Sequence, residues 1–214
     1  MTASSMKGLP GGIRFAAMVG MVFSAFTGWS ALQEAFSLAR FFESRSRLLE
    51  QGESTLTGPT LELYRRVMET YFAALEPMHE PRVVLMAMLT VTCSFVFVAS
   101  GRLLRPYGLR RDGMRRVLGR AAILTAVLRT IDGAQLAAVA RQVGSTLAAS
   151  LDLVPNLPPD ANTAEMGQTL PGVIAGGAML FTLLVAGTFA ILGQYFRSEG
   201  VRLAVAVQDG PQEE

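Results

Sequence analysis

The chain contains three long stretches without a charged residue. Residues 15–33 and 83–101 are each 19 residues long, and a run of 31 residues extends over 166–196, in which the apolar part begins at Pro171. A helix needs about 20 apolar residues to cross a hydrocarbon core of roughly 30 Å. The pattern therefore predicts transmembrane helices at 15–33, 83–101 and 171–196.

A fourth candidate span, 121–140, has the right length but carries Arg129 and Asp132 near its middle. Each such charge costs about 2.5 to 3.5 kcal/mol of insertion free energy at a helix centre. The segment 102–120 contains seven arginines, whereas 141–170 contains one. Because short loops rich in basic residues stay in the cytoplasm, these two segments are expected on opposite sides of the membrane. The charge distribution therefore predicts that 121–140 crosses the bilayer.

The prediction is an all-α, polytopic integral membrane protein with four transmembrane helices and a helical-hairpin extracytoplasmic cap. Its segments, in order, are a cytoplasmic tail (1–14), the first span (15–33), an extracytoplasmic helical hairpin (34–82), the second span (83–101), a basic cytoplasmic loop (102–120), the third span (121–140), an extracytoplasmic Pro-rich loop (141–170), the fourth span (171–196) and a cytoplasmic tail (197–214). Two alternatives stay open: three spans with the carboxyl terminus outside, and a first apolar run that is a cleaved secretory signal peptide.

Apolar side chains recur at helical spacing within the segment 34–82. The stripe follows Pro59, a residue that suits the first turn of a helix, and it advances by three, four, three and four residues. Its members are Leu61, Tyr64, Met68, Tyr71 and Leu75. The first span is expected to continue as a helix to Gln51, so the segment is predicted to form a hairpin of two helices.

This stripe has two interpretations. In the first, it packs on the preceding helix and on the segment 141–170. In the second, Tyr64, Tyr71 and Phe72 form a partner-binding face, since aromatic residues dominate the hot spots of protein interfaces. The segment 141–170 contains several prolines and is expected to be an irregular cap.

Composition separates this chain from ordinary soluble and disordered proteins. The hydrophobic fraction is 50% and the charged fraction 17%, whereas a soluble domain carries about 25% charged residues. The mean hydropathy is +0.36. The net charge of only +2 argues against a nucleic-acid partner. Arginine outnumbers lysine 18 to 1, as GC-rich genomes tend to encode, which indicates a protein of a bacterial cytoplasmic (inner) membrane.

Few residues could support catalysis or bind a metal. The single cysteine, Cys93, cannot close an intramolecular disulfide, and the single histidine, His79, is expected in a turn and cannot supply a multi-histidine site. The S-x-x-K spacing of Ser4 and Lys7 has no companion motif, and the sequence contains no P-loop, HExxH or CxxC pattern. No catalytic residue, metal site or cofactor is therefore predicted.

Polar residues inside the third predicted span form the main candidate site. Arg129 and Asp132 are three residues apart and share one helix face with Thr125 and Gln135. Hydroxyl residues at a similar depth in the other spans are Ser24, Thr92 and Thr182. The charged pair has three interpretations: an intrahelical ion pair that locks helix packing, a polar site for an ion, proton or small anion, and a charge contact with a partner's transmembrane helix.

The basic loop 102–120 also has two interpretations. Its arginines either mainly set the topology or bind anionic lipid or a cytosolic partner. The candidates for contact with anionic lipid are Arg105, Arg110, Arg111, Arg115 and Arg116.

Small residues recur every four positions in two of the predicted spans. The first stripe consists of Ala16, Gly20, Ser24 and Gly28, and the second of Gly172 and Gly176. Such stripes let two helix backbones approach closely, either within one chain or between two copies.

These patterns favour a non-enzymatic membrane protein, an accessory or scaffold subunit of a membrane complex. The alternative is a small oligomeric transporter or channel element that uses Arg129 and Asp132. The expected partners are the lipid bilayer and either another membrane protein or further copies of the chain. A water-accessible cavity that reaches Asp132 would favour transport, whereas a closed bundle would favour the scaffold.

Overall fold

The computed structural model describes residues 9–104, 111–154 and 163–209. Within these ranges every regular element is helical, and two short 3-10 turns at Glu76–Met78 and Leu151–Leu153 accompany the α-helices. The α-helices are α1 (Gly11–Ala39), α2 (Phe41–Thr55), α3 (Pro59–Leu75), α4 (His79–Leu104), α5 (Arg111–Ala149), α6 (Thr163–Arg197) and α7 (Glu199–Asp209).

Four of these helical stretches are long and apolar enough to cross a membrane. They contain α1, α4, α5 and α6, and each includes one of the predicted spans. The predicted all-α class and the four candidate transmembrane helices are therefore confirmed. Because α5 has 39 residues, its length of about 58 Å exceeds the thickness of a hydrocarbon core.

The helix α6 begins earlier than the sequence indicates. It starts at Thr163, inside the segment expected to be an irregular cap, and Pro171 lies in its interior. An interior proline removes one backbone hydrogen bond, a defect that membrane helices tolerate when a neighbouring helix packs against it. Here a Cβ on Gly144 of α5 would lie 2.8 Å from the Cα of Pro171, so the two backbones nearly touch. Residues 155–162 of the same segment lie outside the described residues.

The first helix is interrupted where the sequence predicts a continuous one. The break falls at Arg40, whose φ of −109° and ψ of 37° leave the helical region. The residue after it, Phe41, is buried, and its ring lies 5.5 Å from that of Phe72 and 5.1 Å from that of His79. The change of direction at Arg40 thus turns an aromatic side chain into the interior. His79 is the first residue of α4 rather than part of an open turn.

The helices α2 and α3 form the expected pair. The Tyr64 hydroxyl donates to the carbonyl of Leu48 at 2.9 Å, and Arg65 forms an ion pair with Glu53. The Tyr64 ring lies against Gly52, where a side chain would have no space. Pro59 occupies the first turn of α3, as its sequence position predicts.

The chain divides into two compact units, and the four long helices each contribute to both. The first unit comprises the described residues within 1–32, 87–129 and 185–214, and the second comprises those within 33–86 and 130–184.

Small residues bring the helices of the first unit close together. A Cβ on Gly28 of α1 would lie 2.9 Å from the Cβ of Cys93 of α4, and one on Gly193 of α6 would lie 2.6 Å from Cγ1 of Ile123 of α5. Gly20, Ser24 and Gly28 are all buried. These residues of the α1 stripe therefore pack within the chain.

The small-residue stripe of α6, which lies in the second unit, does not bring α6 close to another described helix. A Cβ on Gly172 or Gly176 would meet no atom of the described chain within 4 Å. Both residues are exposed.

Candidate functional site

A buried ion-pair cluster joins α1, α4 and α5 in the second unit, with Arg82 at its centre. The Arg82 Nη2 lies 2.6 Å from Oε1 of Glu34 and 2.7 Å from Oδ1 of Asp132. Its Nε donates to the same Glu34 oxygen at 2.8 Å, and its Nη1 donates to Oε1 of Gln135 at 3.2 Å. One guanidinium thus connects a carboxylate on α1 with a carboxylate and an amide on α5.

The members of this cluster differ in how deeply their side chains are buried. The side chain of Asp132 is 0% exposed and that of Arg82 2%, whereas that of Glu34 is 37% exposed. Removing one partner of a buried ion pair leaves an uncompensated charge, which costs about 3 to 5 kcal/mol. The Arg82–Asp132 pair therefore holds α4 against α5, and Glu34 supplies the more exposed end of the cluster.

The sequence pattern does not single out Arg82 or Glu34, because each lies at the boundary of an apolar run. Glu34 directly follows the run 15–33, and Arg82 directly precedes the run 83–101. If the two runs form neighbouring antiparallel helices, these opposite charges lie at the same end. That positional match was the available signal. The pairing also places Asp132 within reach of a residue at the end of an apolar run, although Asp132 is near the middle of its own predicted span.

The structure brings two of the predicted polar residues together, since Asp132 and Gln135 both contact Arg82. Thr182 belongs to the same unit and lies against Gly133, and its hydroxyl donates to the carbonyl of Ala178 of its own helix at 2.9 Å. Asp132 and Gln135 of α5 are therefore brought together by Arg82, a residue of another helix.

The other predicted polar residues belong to the first unit. Ser24 donates to the carbonyl of Met21 at 3.1 Å, and Thr92 donates to that of Leu89 at 3.0 Å. Hydroxyls that bond to the preceding turn are satisfied without a partner from another helix. Thr125 is fully buried, and Arg129 is half-buried.

The predicted aromatic face of α3 is largely engaged within the chain. Phe72 is buried and Tyr64 packs on α2, so the packing interpretation is favoured for these two residues. Tyr71 is half-buried, with its ring 5.4 Å from that of Phe72. Burial raises the pKa of Tyr71, and the nearby carboxylate of Glu34 adds to this effect, while Arg82 opposes it. Tyr71 therefore stays a neutral hydroxyl beside the Arg82 cluster.

The basic start of α5 lies in the first unit and contacts the ends of α6 and α7. The Arg115 Nη1 donates to the carbonyl of Phe196 at 2.7 Å, and Arg111 Nη1 donates to Oε1 of Gln208 at 3.0 Å. The carboxylate of Asp209 accepts from the backbone N–H of Arg111, at 3.3 Å, and from that of Asp112. These contacts cap the amino terminus of α5 with a negative charge, which its helix dipole favours.

Several of the arginines predicted to bind anionic lipid make contacts within the chain. Arg115 is 5% exposed and is held by Asp112, whereas the side chain of Arg116 is 64% exposed while it pairs with the same carboxylate. Burial alone would raise the pKa of Asp112, but the hydrogen bonds and charges of the two arginines lower it below its ordinary value. Arg105 and Arg110 lie outside the described residues.

Among the residues that the structure describes, no group of three or more His, Cys, Asp or Glu side chains could hold a metal ion. The described helices define the class of the protein: an all-helical chain with four helices long and apolar enough to span a membrane. Neither a protein-family model nor a curated protein nor a solved structure matches this chain.

Proposed function

We propose that this chain is a non-enzymatic protein of a bacterial cytoplasmic membrane that serves as an accessory or scaffold subunit. The ion pair between Arg82 and the fully buried Asp132 carries this proposal. Charges that serve transport must meet water or a transported ion, whereas Arg82 and Asp132 meet each other and join α4 to α5. Their first role is therefore to hold the helices in one arrangement.

The distribution of arginine supports a threading with both termini in the cytoplasm. Seven arginines lie in 102–120 and one in 141–170, which places the first of these segments inside and the second outside. With four spans, α2 and α3 then stand on the outer face of the membrane, and α7 and the start of α5 lie on the inner face.

The outer helices offer a surface for a partner protein. Phe36 and Phe42 are each 64% exposed, in the segment that this threading places outside the bilayer. Aromatic side chains are enriched among the residues that dominate the binding energy of protein interfaces. Copurification of the tagged chain from membranes tests the proposal, and a stable partner in stoichiometric amount is expected.

A matched pair of variants sharpens this experiment. The double variant Phe36→Ala/Phe42→Ala should lose the partner without loss of folded protein, whereas Phe15→Ala, at a side chain that is 66% exposed within an apolar run, should retain it. If the wild-type chain copurifies with no other protein, the scaffold proposal is wrong.

A transport element is the second candidate, and one observation favours it. Glu34 is 37% exposed and contacts Arg82, which contacts Asp132, so a chain of ionisable groups leads from the surface into the protein. Proteoliposomes provide the test. Proton or ion flux above that of empty vesicles, lost in an Asp132→Asn variant with normal folded yield, would establish transport and overturn the scaffold proposal.

A further inference from the structure

A cleft of about 540 Å³ in the second unit lies between α5 and the end of α3 with the 3-10 turn that follows it. One wall consists of residues within 73–78, and the other consists of residues within 138–145 of α5. Arg141 is the one charged residue among the described residues that line it. An anionic group in this cleft therefore meets a cation and no acidic side chain of the lining.

Two contacts, one beyond each end of the cleft, fix how it is oriented along α5. The hydroxyl of Thr70 lies 2.9 Å from that of Thr146, and Arg82 Nη2 lies 2.7 Å from Oδ1 of Asp132. Between these contacts one wall advances from residue 70 to 82 while α5 runs back from 146 to 132, so the walls are antiparallel and keep nearly the same register. Residues 77–78 are therefore level with 138–139, and residues 73–74 are level with 142–143.

The apolar and polar parts of the lining occupy different ends of the cleft. The inner end, which is nearer to Arg82, is lined by Pro77 and Met78 and by residues 138–139, all of them apolar. The outer end, which is nearer to Thr70, contains every polar residue of the described lining, namely Arg141, Gln142 and Ser145. At 1.5 Å per residue, about 10 Å of helix axis separates residues 138 and 145. The cleft therefore changes from apolar to polar with increasing distance from Arg82.

The charge of Arg141 is not neutralised by the described part of the chain. Arg65 and Arg66 of the same unit each form an ion pair with a carboxylate. No described carboxylate forms an ion pair with Arg141, and its side chain is exposed. A planar guanidinium in this state is well suited to a phosphate group, which it binds through two parallel hydrogen bonds. The amide of Gln142, in the same part of the cleft, is a further donor.

The direction of this change in polarity indicates what carries the phosphate. In the proposed threading, α5 crosses the membrane with residues 121–140 and α4 crosses it with residues 83–101. Counted from either span, the inner end of the cleft is nearer to the hydrocarbon core than the outer end. A phospholipid of the outer leaflet has the same order, since its acyl chains lie nearer to the core than its phosphate. A soluble anion has no apolar part that would fill the inner end.

We infer that the cleft between α3 and α5 binds one phospholipid of the outer leaflet. Its phosphodiester accepts hydrogen bonds from Arg141 and from the amide of Gln142, and the upper part of an acyl chain lies against Pro77 and Met78. This inference rests on the proposed threading. It gives the outer helices a direct contact with the bilayer in addition to their connection to the spans.

The test is retention of lipid by the whole protein, reconstituted in nanodiscs of phosphatidylethanolamine and phosphatidylglycerol, then extracted and observed by native mass spectrometry. The wild type is expected to keep one bound phospholipid. Arg141→Gln should lower retention about tenfold, the value of one charge-assisted hydrogen bond. Arg47→Gln removes an exposed arginine of α2 and should change nothing. A wild type without bound lipid, equal retention by the wild type and Arg141→Gln, or an equal loss in both variants would overturn the site.

Substitutions at small residues locate the lipid. Ala138→Phe fills the inner end of the cleft from an exposed position and should release the lipid, whereas Ala134→Phe, one turn earlier on α5 and also exposed, should retain it. Gly172 lines a separate cleft between α5 and α6 that Arg141 also borders, so Gly172→Leu should retain the lipid. Release by Gly172→Leu, or retention by Ala138→Phe, would contradict the inference.

Competition distinguishes a whole phospholipid from a phosphate ion alone. Inorganic phosphate in excess should not displace the bound lipid, because the contacts of the acyl chain at the inner end also hold it. Displacement by phosphate alone would show that the cleft is an anion site without a place for an acyl chain, and it would overturn the inference.

The threading is checked separately with Ala149→Cys, at an exposed residue near the end of α5, since the native Cys93 is buried. A membrane-impermeant maleimide should label this variant in intact cells. Labelling together with unaltered lipid retention in Arg141→Gln would refute the lipid site alone. Absence of labelling would refute the threading on which both proposals depend.

Discussion

At the scale of single residues, Arg82 is the cation that pairs with the carboxylates of Glu34 and Asp132 in the second unit. It is 2% exposed and lies 2.7 Å from the buried carboxylate of Asp132. A buried ion pair adds little net stability compared with apolar side chains of the same volume, but breaking it is costly because one charge then stays unpaired. The pair therefore specifies one arrangement of α4 and α5 rather than simply adding stability.

This view predicts the outcome of a double-mutant cycle. Arg82→Gln should lower the free energy of unfolding by about 3 to 5 kcal/mol, because the buried carboxylate of Asp132 then loses its ion pair with Arg82. Adding Asp132→Asn should recover much of the loss. Thermal unfolding in detergent measures both. As a control, Glu34→Gln should cost less, because a carboxylate that is 37% exposed remains hydrated. Purely additive effects of the Arg82 and Asp132 substitutions would show that the two side chains are not coupled.

The lowered pKa of Asp112 predicts how the stability of the fold depends on pH. Arg115 and Arg116 lower its pKa in the folded protein below the unfolded value. Such a group stabilises the fold above its ordinary pKa, at about pH 4, and this contribution is lost as the pH falls through the lowered pKa. The wild type should therefore be more stable than Asp112→Asn at about pH 7, and the gap should close at acidic pH. A gap that widens on acidification would contradict the assigned direction.

At the scale of helices, close packing depends on particular glycines of α6. Gly193→Val places a side chain within 2.6 Å of Cγ1 of Ile123 and should destabilise the first unit by about 1 to 3 kcal/mol through overpacking. Gly187→Val is the matched control on the same helix, since a Cβ at Gly187 meets no described atom within 4 Å. The melting temperatures of the two variants in detergent measure this difference in stability. Equal melting temperatures would argue against the observed α5–α6 contact.

The ends of the helices show which features the local sequence pattern predicts and which it does not. Charge-free runs predict the four long helices because length and hydropathy are properties of the segment itself. The break at Arg40 follows from the burial of Phe41 against Phe72 and His79, which are distant in sequence. The early start of α6 similarly depends on Gly144 accommodating Pro171. Periodicity cannot reveal such contacts, because it does not say which helices are neighbours.

The candidate site, like the helix boundaries, could be predicted from the sequence only in part. Asp132 and Gln135 stand out because polar residues are rare in an apolar helix, and both are members of the observed cluster. Arg82 does not stand out, because a charge at the end of an apolar run is ordinary. Its role depends on how far α5 is displaced along α4, a tertiary property that a helical pattern leaves undetermined.

At the scale of the whole molecule, the proposed roles depend on the threading. The structure provides four helices long and apolar enough to span a bilayer, and the proposed threading orients them by the distribution of arginine. The buried ion pair and the outer aromatic side chains acquire their proposed roles only if the third and fourth of these helices both cross the membrane.

Paired reporter fusions test that threading most directly. One reporter that is active only outside the cytoplasm is fused after residue 154, between α5 and α6, and the same reporter is fused after residue 214. The four-span threading predicts activity at the first position and none at the second, because α6 returns the chain to the cytoplasm. Activity at the second position, or equal signals at both, would contradict the four-span arrangement.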